Sequence, residues 1–119
     1  MDNKQIIDGH MNLPESVSPA FWTIYSAYEE NRKEFARERL TIINDFLEGY
    51  DKFDEEEADD LAKRTLKNDL ALYNTHSSFY KKFKKATSAL EAAKFMQIDT
   101  YIHNTIRNAM LQELPFTGQ

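Results

Sequence analysis

Residues 16–50 read SVSPAFWTIYSAYEENRKEFARERLTIINDFLEGY, and this stretch decides the fold. Pro19 lies in the first turn, where a helix tolerates a residue without an N–H, and Gly49 is the next helix breaker. The apolar positions recur close to a heptad spacing, at Phe21, Tyr25, Tyr28, Phe35, Ile42, Ile43, Phe46 and Tyr50. A single helix of this length extends about 50 Å, so we expect it to pack along a second long helix.

A second long helix is predicted after the break at Gly49. Asp54 and Glu57 have the spacing of a capping box, which places the helix at about 55–85. Its acidic residues lie at the start and its lysines at the end, as the helix dipole favours. Its apolar positions form two stripes, which allow contact with two partners. The first stripe contains Ala62, Leu66, Leu70, Tyr73 and Tyr80, and the second contains Leu72, Phe79 and Phe83.

A third helix is predicted to begin at a second capping box, formed by Ser88 and Glu91, and to continue until Pro115 ends it. Residues 4–10 allow a short N-terminal helical turn. The connections are short, and short connections make consecutive helices antiparallel neighbours. The predicted fold class is all-α, a long antiparallel helical hairpin plus a third helix, with residues 1–119 forming one domain.

Composition excludes several classes of protein. The chain is 41% hydrophobic and 29% charged, which is typical of a folded rather than a disordered protein. It contains no cysteine, so disulfides, thiolate metal sites and cysteine nucleophiles are excluded. No stretch approaches the roughly 20 apolar residues that span a bilayer. The net charge of −5 argues against nucleic-acid binding, which needs a basic face.

Catalytic motifs are missing from the sequence, which has no Gly-rich phosphate loop, no GxSxG and no HExxH. We therefore predict a protein that is not an enzyme and needs no cofactor. If the second and third helices fold back at Ala86, His103 comes level with Asp69. Such a His–carboxylate pair forms a structural hydrogen bond or half of a metal site, and the hydrogen bond is favoured because HxxxH and ExxH spacings are absent.

The aromatic cluster at the start of the first long helix is predicted to anchor the open end of the hairpin. Phe21 and Trp22 are adjacent, so their rings cannot easily face the same neighbour. We expect one of them to be exposed, at a dimer interface or on a surface that binds client proteins.

Several segments together resemble a known family. They are LPES at 13–16, AFWTIYSAYE at 20–29, FYKKF at 79–83, AAKFMQI at 92–98 and LP at 114–115. Their order along the chain is similar to that of the Spy/CpxP-like periplasmic helical proteins with LTxxQ-type motifs, in particular their uncharacterised bacterial members. The name-giving motif is altered, with Pro14 where Thr is usual and Val17 where Gln is usual.

The resemblance implies a non-enzymatic, exported bacterial protein of the periplasm whose signal peptide has been removed. It implies chaperone-like or envelope-stress-related binding of protein clients or of one dedicated protein partner, with homodimer formation. The protein-binding residues that it suggests are Phe21, Trp22, Tyr25, Arg32 and Arg39. Two alternatives stay open: a metal- or stress-sensing domain that uses His103 and Asp69, and an interaction module of unknown function.

Overall fold

The computed structural model describes residues 3–49 and 51–111, and these ranges contain four helices and no strand. The helices are α1 (Asn3–Met11), α2 (Ser18–Glu48), α3 (Glu55–Ala86) and α4 (Ala89–Leu111). The all-α prediction is therefore confirmed, with bounds close to those expected. The predicted stop at Pro115 lies outside the described residues.

The helix ends follow the capping signals of the sequence. The backbone N–H of Glu57 donates to Asp54 Oδ1 at 2.8 Å, and the N–H of Glu91 donates to Ser88 Oγ at 3.1 Å. Both predicted caps are thus formed. At the end of α1, Asn12 has a φ of 51°, the left-handed conformation that commonly terminates a helix.

By its internal contacts the chain divides into two compact units. Of the described residues, 3–21 and 82–111 form the first, which we call the aromatic unit, and 22–49 and 51–81 form the second, which we call the hairpin unit. Helices α2 and α3 each contribute residues to both. The single-domain organisation of 1–119 stays a prediction.

The core of the aromatic unit is a cluster of three phenylalanines. The ring of Phe83 lies 4.5 Å from that of Phe95 and 5.0 Å from that of Phe21, and Phe21 meets Phe95 edge-on at 5.5 Å, measured between centroids. All three are fully buried. Other buried apolar residues of this unit are Ile7, Met11, Ala92 and Ile102. The third phenylalanine comes from α4, so the last described helix completes this core.

In the hairpin unit, the larger parts of α2 and α3 run antiparallel. Three contacts establish the direction: Arg64 with Asp45, Asn68 with Phe35, and Phe79 with Tyr28. Because the partner's number on α2 falls as the residue number on α3 rises, the helices run in opposite directions. This confirms the predicted hairpin.

Within the described residues, no helix combines the length and the apolar character that a bilayer crossing requires.

Candidate functional site

Polar contacts fix one side of α3 against α2. The guanidinium of Arg64 donates to Asp45 at 2.8 Å and to Glu38 at 3.3 Å. One turn further along α3, Asn68 Nδ2 donates to the backbone carbonyl of Phe35 at 3.1 Å. The hydrogen bond to Asp45, and more weakly the contacts with Glu38, raise the pKa of Arg64 above its ordinary value against the opposing effect of desolvation.

Aromatic contacts continue the same side of α3. Tyr28 on α2 is fully buried, and its ring centroid lies 5.4 Å from that of Phe79 and 6.0 Å from the imidazole of His76. Phe79 is also buried. These rings and the polar contacts determine which side of α3 faces its neighbour in the hairpin.

The opposite side of α3 carries three exposed apolar residues. Leu66, Leu70 and Tyr73 expose 67%, 61% and 69% of their surface. Spacings of four and three residues place them in one line along the helix. Nine residues separate Leu70 from the buried Phe79, which is two and a half turns, so these two point to opposite sides. We call the line of Leu66, Leu70 and Tyr73 the α3 stripe.

The α3 stripe brings three exposed apolar side chains together on one side of the helix. Single exposed leucines are common on soluble proteins. Here three large neighbours together expose on the order of 400 Å² of mainly apolar surface, which is within the size range of the largest patch on a typical monomer, and such a patch is often functional.

Helix α2 also carries an exposed apolar line. Leu40 is 47% exposed and Leu47 39% exposed, and seven residues place them two turns apart on one side of the helix. Ile42, between them in sequence, is buried. We call Leu40 and Leu47 the α2 pair. Both helices of the hairpin unit therefore present apolar side chains to solvent.

The charges along the outer side of α3 are unevenly distributed. Asp59 and Lys81 each lie eleven residues from Leu70, which is three turns, so all three are on the same side of the helix. Both charged residues are exposed. Asp59 also forms an ion pair with Lys63, whose Nζ lies 2.8 Å from Asp59 Oδ2. Asp59 therefore precedes the α3 stripe along the helix, and Lys81 follows it.

The five residues predicted from the sequence to bind proteins differ in how deeply they are buried. Phe21 and Tyr25 are buried, so they belong to the core of the folded chain and cannot present a contact surface. Trp22 is half-buried, with its ring edge-on to Tyr25 at 5.3 Å. Arg32 and Arg39 are half-buried. A surface role stays a prediction for Trp22 and the two arginines.

The histidine of interest, His103, has a carboxylate on its own helix. Its Nε2 lies 3.0 Å from Asp99 Oδ1, one turn earlier on α4, and Asp99 is buried. The predicted partner Asp69 is an exposed residue of the hairpin unit. The pairing of His103 with Asp69 stays a prediction.

The sequence analysis missed the Asp99–His103 pair and the exposure of the α3 stripe, although the sequence contains a signal for each. The four-residue spacing of Asp99 and His103 is that of neighbours on a helix face. The α3 stripe was one of two apolar stripes, and its flanking lysines, Lys63 and Lys67, indicated the solvent side because ammonium groups stay hydrated.

Comparison with known proteins gives no match: no protein-family model, no curated protein and no solved structure matches this chain. What the chain does must be inferred from its own residues and contacts.

Proposed function

We propose that this protein is a non-enzymatic protein-binding domain, which contacts other proteins through the apolar lines on the hairpin unit. The observation that carries the proposal is the exposure of five large apolar side chains, which belong to the α3 stripe and the α2 pair. Covering such side chains is favourable, at about 25 cal/mol for each Å² of apolar surface removed from water. A bound partner protein would bury these apolar side chains.

A chaperone-like mode of binding fits the surroundings of the α2 pair. Lys33 pairs with Glu30 and Arg37 pairs with Glu34, and all four are exposed on the same helix as Leu40. An apolar line beside charges of both signs offers hydrophobic contact together with electrostatic complementarity to segments of either charge. The resemblance to the Spy/CpxP-like proteins supports the same mode, together with export to the periplasm.

The test of binding is aggregation of a chemically denatured test protein, followed by light scattering. We expect the wild-type chain to slow aggregation, and we expect Leu40→Ser/Leu47→Ser and Leu66→Ser/Leu70→Ser to lose much of this effect. Leu90→Ser is the matched control, because Leu90 is 70% exposed but lies in the aromatic unit. A wild-type chain without effect, or a control as impaired as the hairpin variants, would contradict the proposal.

The proposed location has its own test. The natural gene is expressed in a bacterium. The cells are then fractionated, and marker proteins identify the compartment of each fraction. We expect the protein in the periplasmic fraction. Recovery of all of it from the cytoplasm would remove the export part of the proposal and leave the binding part standing.

A second candidate function, metal sensing, is favoured by the Asp99–His103 pair. A buried carboxylate beside an imidazole supplies two donor atoms from one helix, and both suit zinc, copper or nickel ions. Titration with each ion should then give heat and a thermal shift in the wild type, and neither in Asp99→Asn or His103→Gln. His10→Gln is the control, because His10 is exposed on α1. No response in the wild type would exclude this candidate.

A further inference from the structure

We infer that the turn between α3 and α4 docks on a membrane surface that contains anionic phospholipids. Lysines at the end of α3 bind the phosphate groups, and Leu90 at the start of α4 inserts among the lipid chains. These residues belong to the aromatic unit, so the contact goes beyond the proposed binding of proteins, which uses the α3 stripe and the α2 pair of the hairpin unit.

Three lysines make the end of α3 basic in the aromatic unit. Phe83 is fully buried against Phe95 and fixes the inner side of the helix at this point. The lysines next to Phe83 are all exposed: Lys82, Lys84 and Lys85. An ammonium group on a flexible stem binds phosphate as a point charge and does not need one fixed geometry. Each such lysine near an anionic membrane strengthens binding about fivefold.

The surface that follows these lysines along the chain carries no exposed acid. Over residues 82–109, all of which the structure describes, every exposed charged residue is a cation. The acids in this range are withdrawn from the surface: Asp99 is buried, and Glu91 exposes 20% of its side chain and pairs with Lys94 at 3.4 Å. The whole chain has a net charge of −5, so this segment departs from the overall composition. It can approach an anionic membrane without repulsion from its own carboxylates.

The helix dipole explains only part of this charge pattern. Lys84 and Lys85 lie in the last turn of α3, where cations interact favourably with the terminal carbonyl groups. This effect fades within one turn. It does not explain why exposed acids are absent along α4 as far as Ala109, or why a large apolar side chain is exposed close to the lysines in sequence.

Leu90 gives the turn an apolar tip. It is 70% exposed and lies in the first turn of α4, shortly after Ala86, at which α3 ends. Side chains lean toward the N-terminus of their own helix, so Leu90 leans out over the turn. Five residues of chain span at most about 18 Å, so Leu90 and Lys85 are close enough to reach the same membrane surface.

A lipid surface fits this combination better than a soluble polyanion does. Phosphate groups pair with the lysines in either case, but a membrane also has hydrocarbon beneath its phosphates that buries an aliphatic side chain. Lysines beside one exposed leucine therefore make a reversible surface anchor. The apolar area is small, so we expect binding to be weaker than that of a single myristoyl chain.

Vesicle flotation with the full chain tests the contact. We expect binding to vesicles that contain phosphatidylglycerol, no binding to pure phosphatidylcholine, and release as salt is raised. Lys84→Gln/Lys85→Gln should weaken binding about twentyfold, and Leu90→Ser about tenfold. The control Lys63→Gln/Lys67→Gln removes the same charge from exposed positions of the hairpin unit and should bind like the wild type. Equal binding to both kinds of vesicle, or equal losses in the two lysine variants, would overturn the inference.

Insertion of Leu90 has a separate readout, because the chain contains no cysteine and one can be introduced for labelling. Leu90→Cys carrying a polarity-sensitive dye should shift its emission to the blue on phosphatidylglycerol vesicles, and labelled Leu70→Cys should not. An unshifted dye at position 90 on a chain that floats would show adsorption without insertion and overturn the inference. Duplex DNA or polyglutamate that binds the chain as tightly as the vesicles do would assign the lysines to a soluble polyanion and also overturn it.

Failure of this inference differs from failure of the proposed function. A wild-type chain that slows aggregation but floats with no vesicle overturns the membrane contact and leaves protein binding standing. A chain that floats with phosphatidylglycerol vesicles, and loses this in Leu90→Ser, supports the membrane contact even where it has no effect on aggregation. Leu66→Ser/Leu70→Ser should show the reverse pattern, with vesicle binding kept and the effect on aggregation reduced.

Discussion

The guanidinium of Arg64 on α3 lies 2.8 Å from the carboxylate of Asp45 on α2, and it reaches Glu38, two turns earlier on α2, at 3.3 Å. One cation thus joins two carboxylates of the other helix. The adjacent Lys63 instead pairs with Asp59 inside α3. Of these two neighbouring cations, Arg64 reaches across to α2 and Lys63 pairs within α3, so they make a matched comparison.

Replacing Arg64 should destabilise the protein more than replacing Lys63. Arg64→Ala removes an interhelical contact, whereas Lys63→Ala removes an exposed contact between neighbours on one helix. The measurement is urea unfolding followed by circular dichroism, and Arg64→Ala should have the lower midpoint. Equal midpoints for the two variants would mean that the interhelical pair adds nothing to folding.

The stabilisation by Arg64 should be independent of pH near neutrality. The pKa of Arg64 is raised, first by its hydrogen bond to Asp45. A raised pKa gives stabilisation that is complete below the unfolded-state pKa and is lost only as pH rises through the folded-state value, which for arginine is strongly alkaline. The difference in unfolding free energy between wild type and Arg64→Ala should stay constant from about pH 7 to about pH 9. A difference that shrinks over this interval would contradict the assignment.

Asn68 should contribute one hydrogen bond to the hairpin. Its Nδ2 donates across the helix pair to the carbonyl of Phe35 at 3.1 Å and is partly buried. Asn68→Ala should lower the free energy of unfolding by about 1 kcal/mol, and Asn74→Ala, an exposed control on the same helix, should lower it by much less. Both variants are compared by urea unfolding. A larger loss for the control would refute this account.

The phenylalanine cluster should be far more sensitive than the surface. Phe83 is fully buried between Phe21 and Phe95, so Phe83→Ala leaves a cavity and should cost about 3–5 kcal/mol. Tyr101→Ala removes a ring that is 73% exposed on α4, and it should change stability little. Thermal unfolding distinguishes the two outcomes. Similar losses for both variants would show that the cluster is not the core of its unit.

The helices could be predicted from the sequence because their ends are determined locally. Asp54 and Ser88 cap their helices through hydrogen bonds three residues away, and a short window of sequence contains both partners. The side of α3 that faces solvent could not be predicted in this way. Phe79 and Leu70 are both apolar, and only the contact of Phe79 with Tyr28, which is 51 residues earlier, makes one buried and the other exposed.

The candidate site could be predicted only in part for the same reason. Phe21 is a plausible surface anchor by composition, yet it is buried because Phe83 and Phe95, both distant in sequence, enclose it. The carboxylate of Asp99 beside His103 was within reach of sequence reasoning, since both lie one turn apart on one helix. Proximity across helices depends on how the helices pack, which periodicity alone does not determine.

At the turn of the hairpin, we expect substitutions of Gly49 and Phe53 to have strongly coupled effects on the free energy of unfolding. A Cβ placed on Gly49 lies 2.7 Å from Cε1 of Phe53, closer than van der Waals contact permits, and the ring of Phe53 also packs at 5.8 Å from that of Phe46. Gly49→Ala must therefore displace the ring and should cost about 1–3 kcal/mol. In a Phe53→Ala background the obstacle is gone. There the same change should be neutral or stabilising by up to about 1 kcal/mol, since alanine restricts the unfolded chain.

A double-mutant cycle by urea unfolding measures this coupling. The interaction free energy between Gly49→Ala and Phe53→Ala should exceed about 1 kcal/mol. Gly9→Ala in α1 is the control: no atom lies within 4 Å of its added Cβ, so it should stabilise the protein in either background. If Gly49→Ala costs the same with and without the Phe53 ring, the ring does not explain why this turn needs glycine.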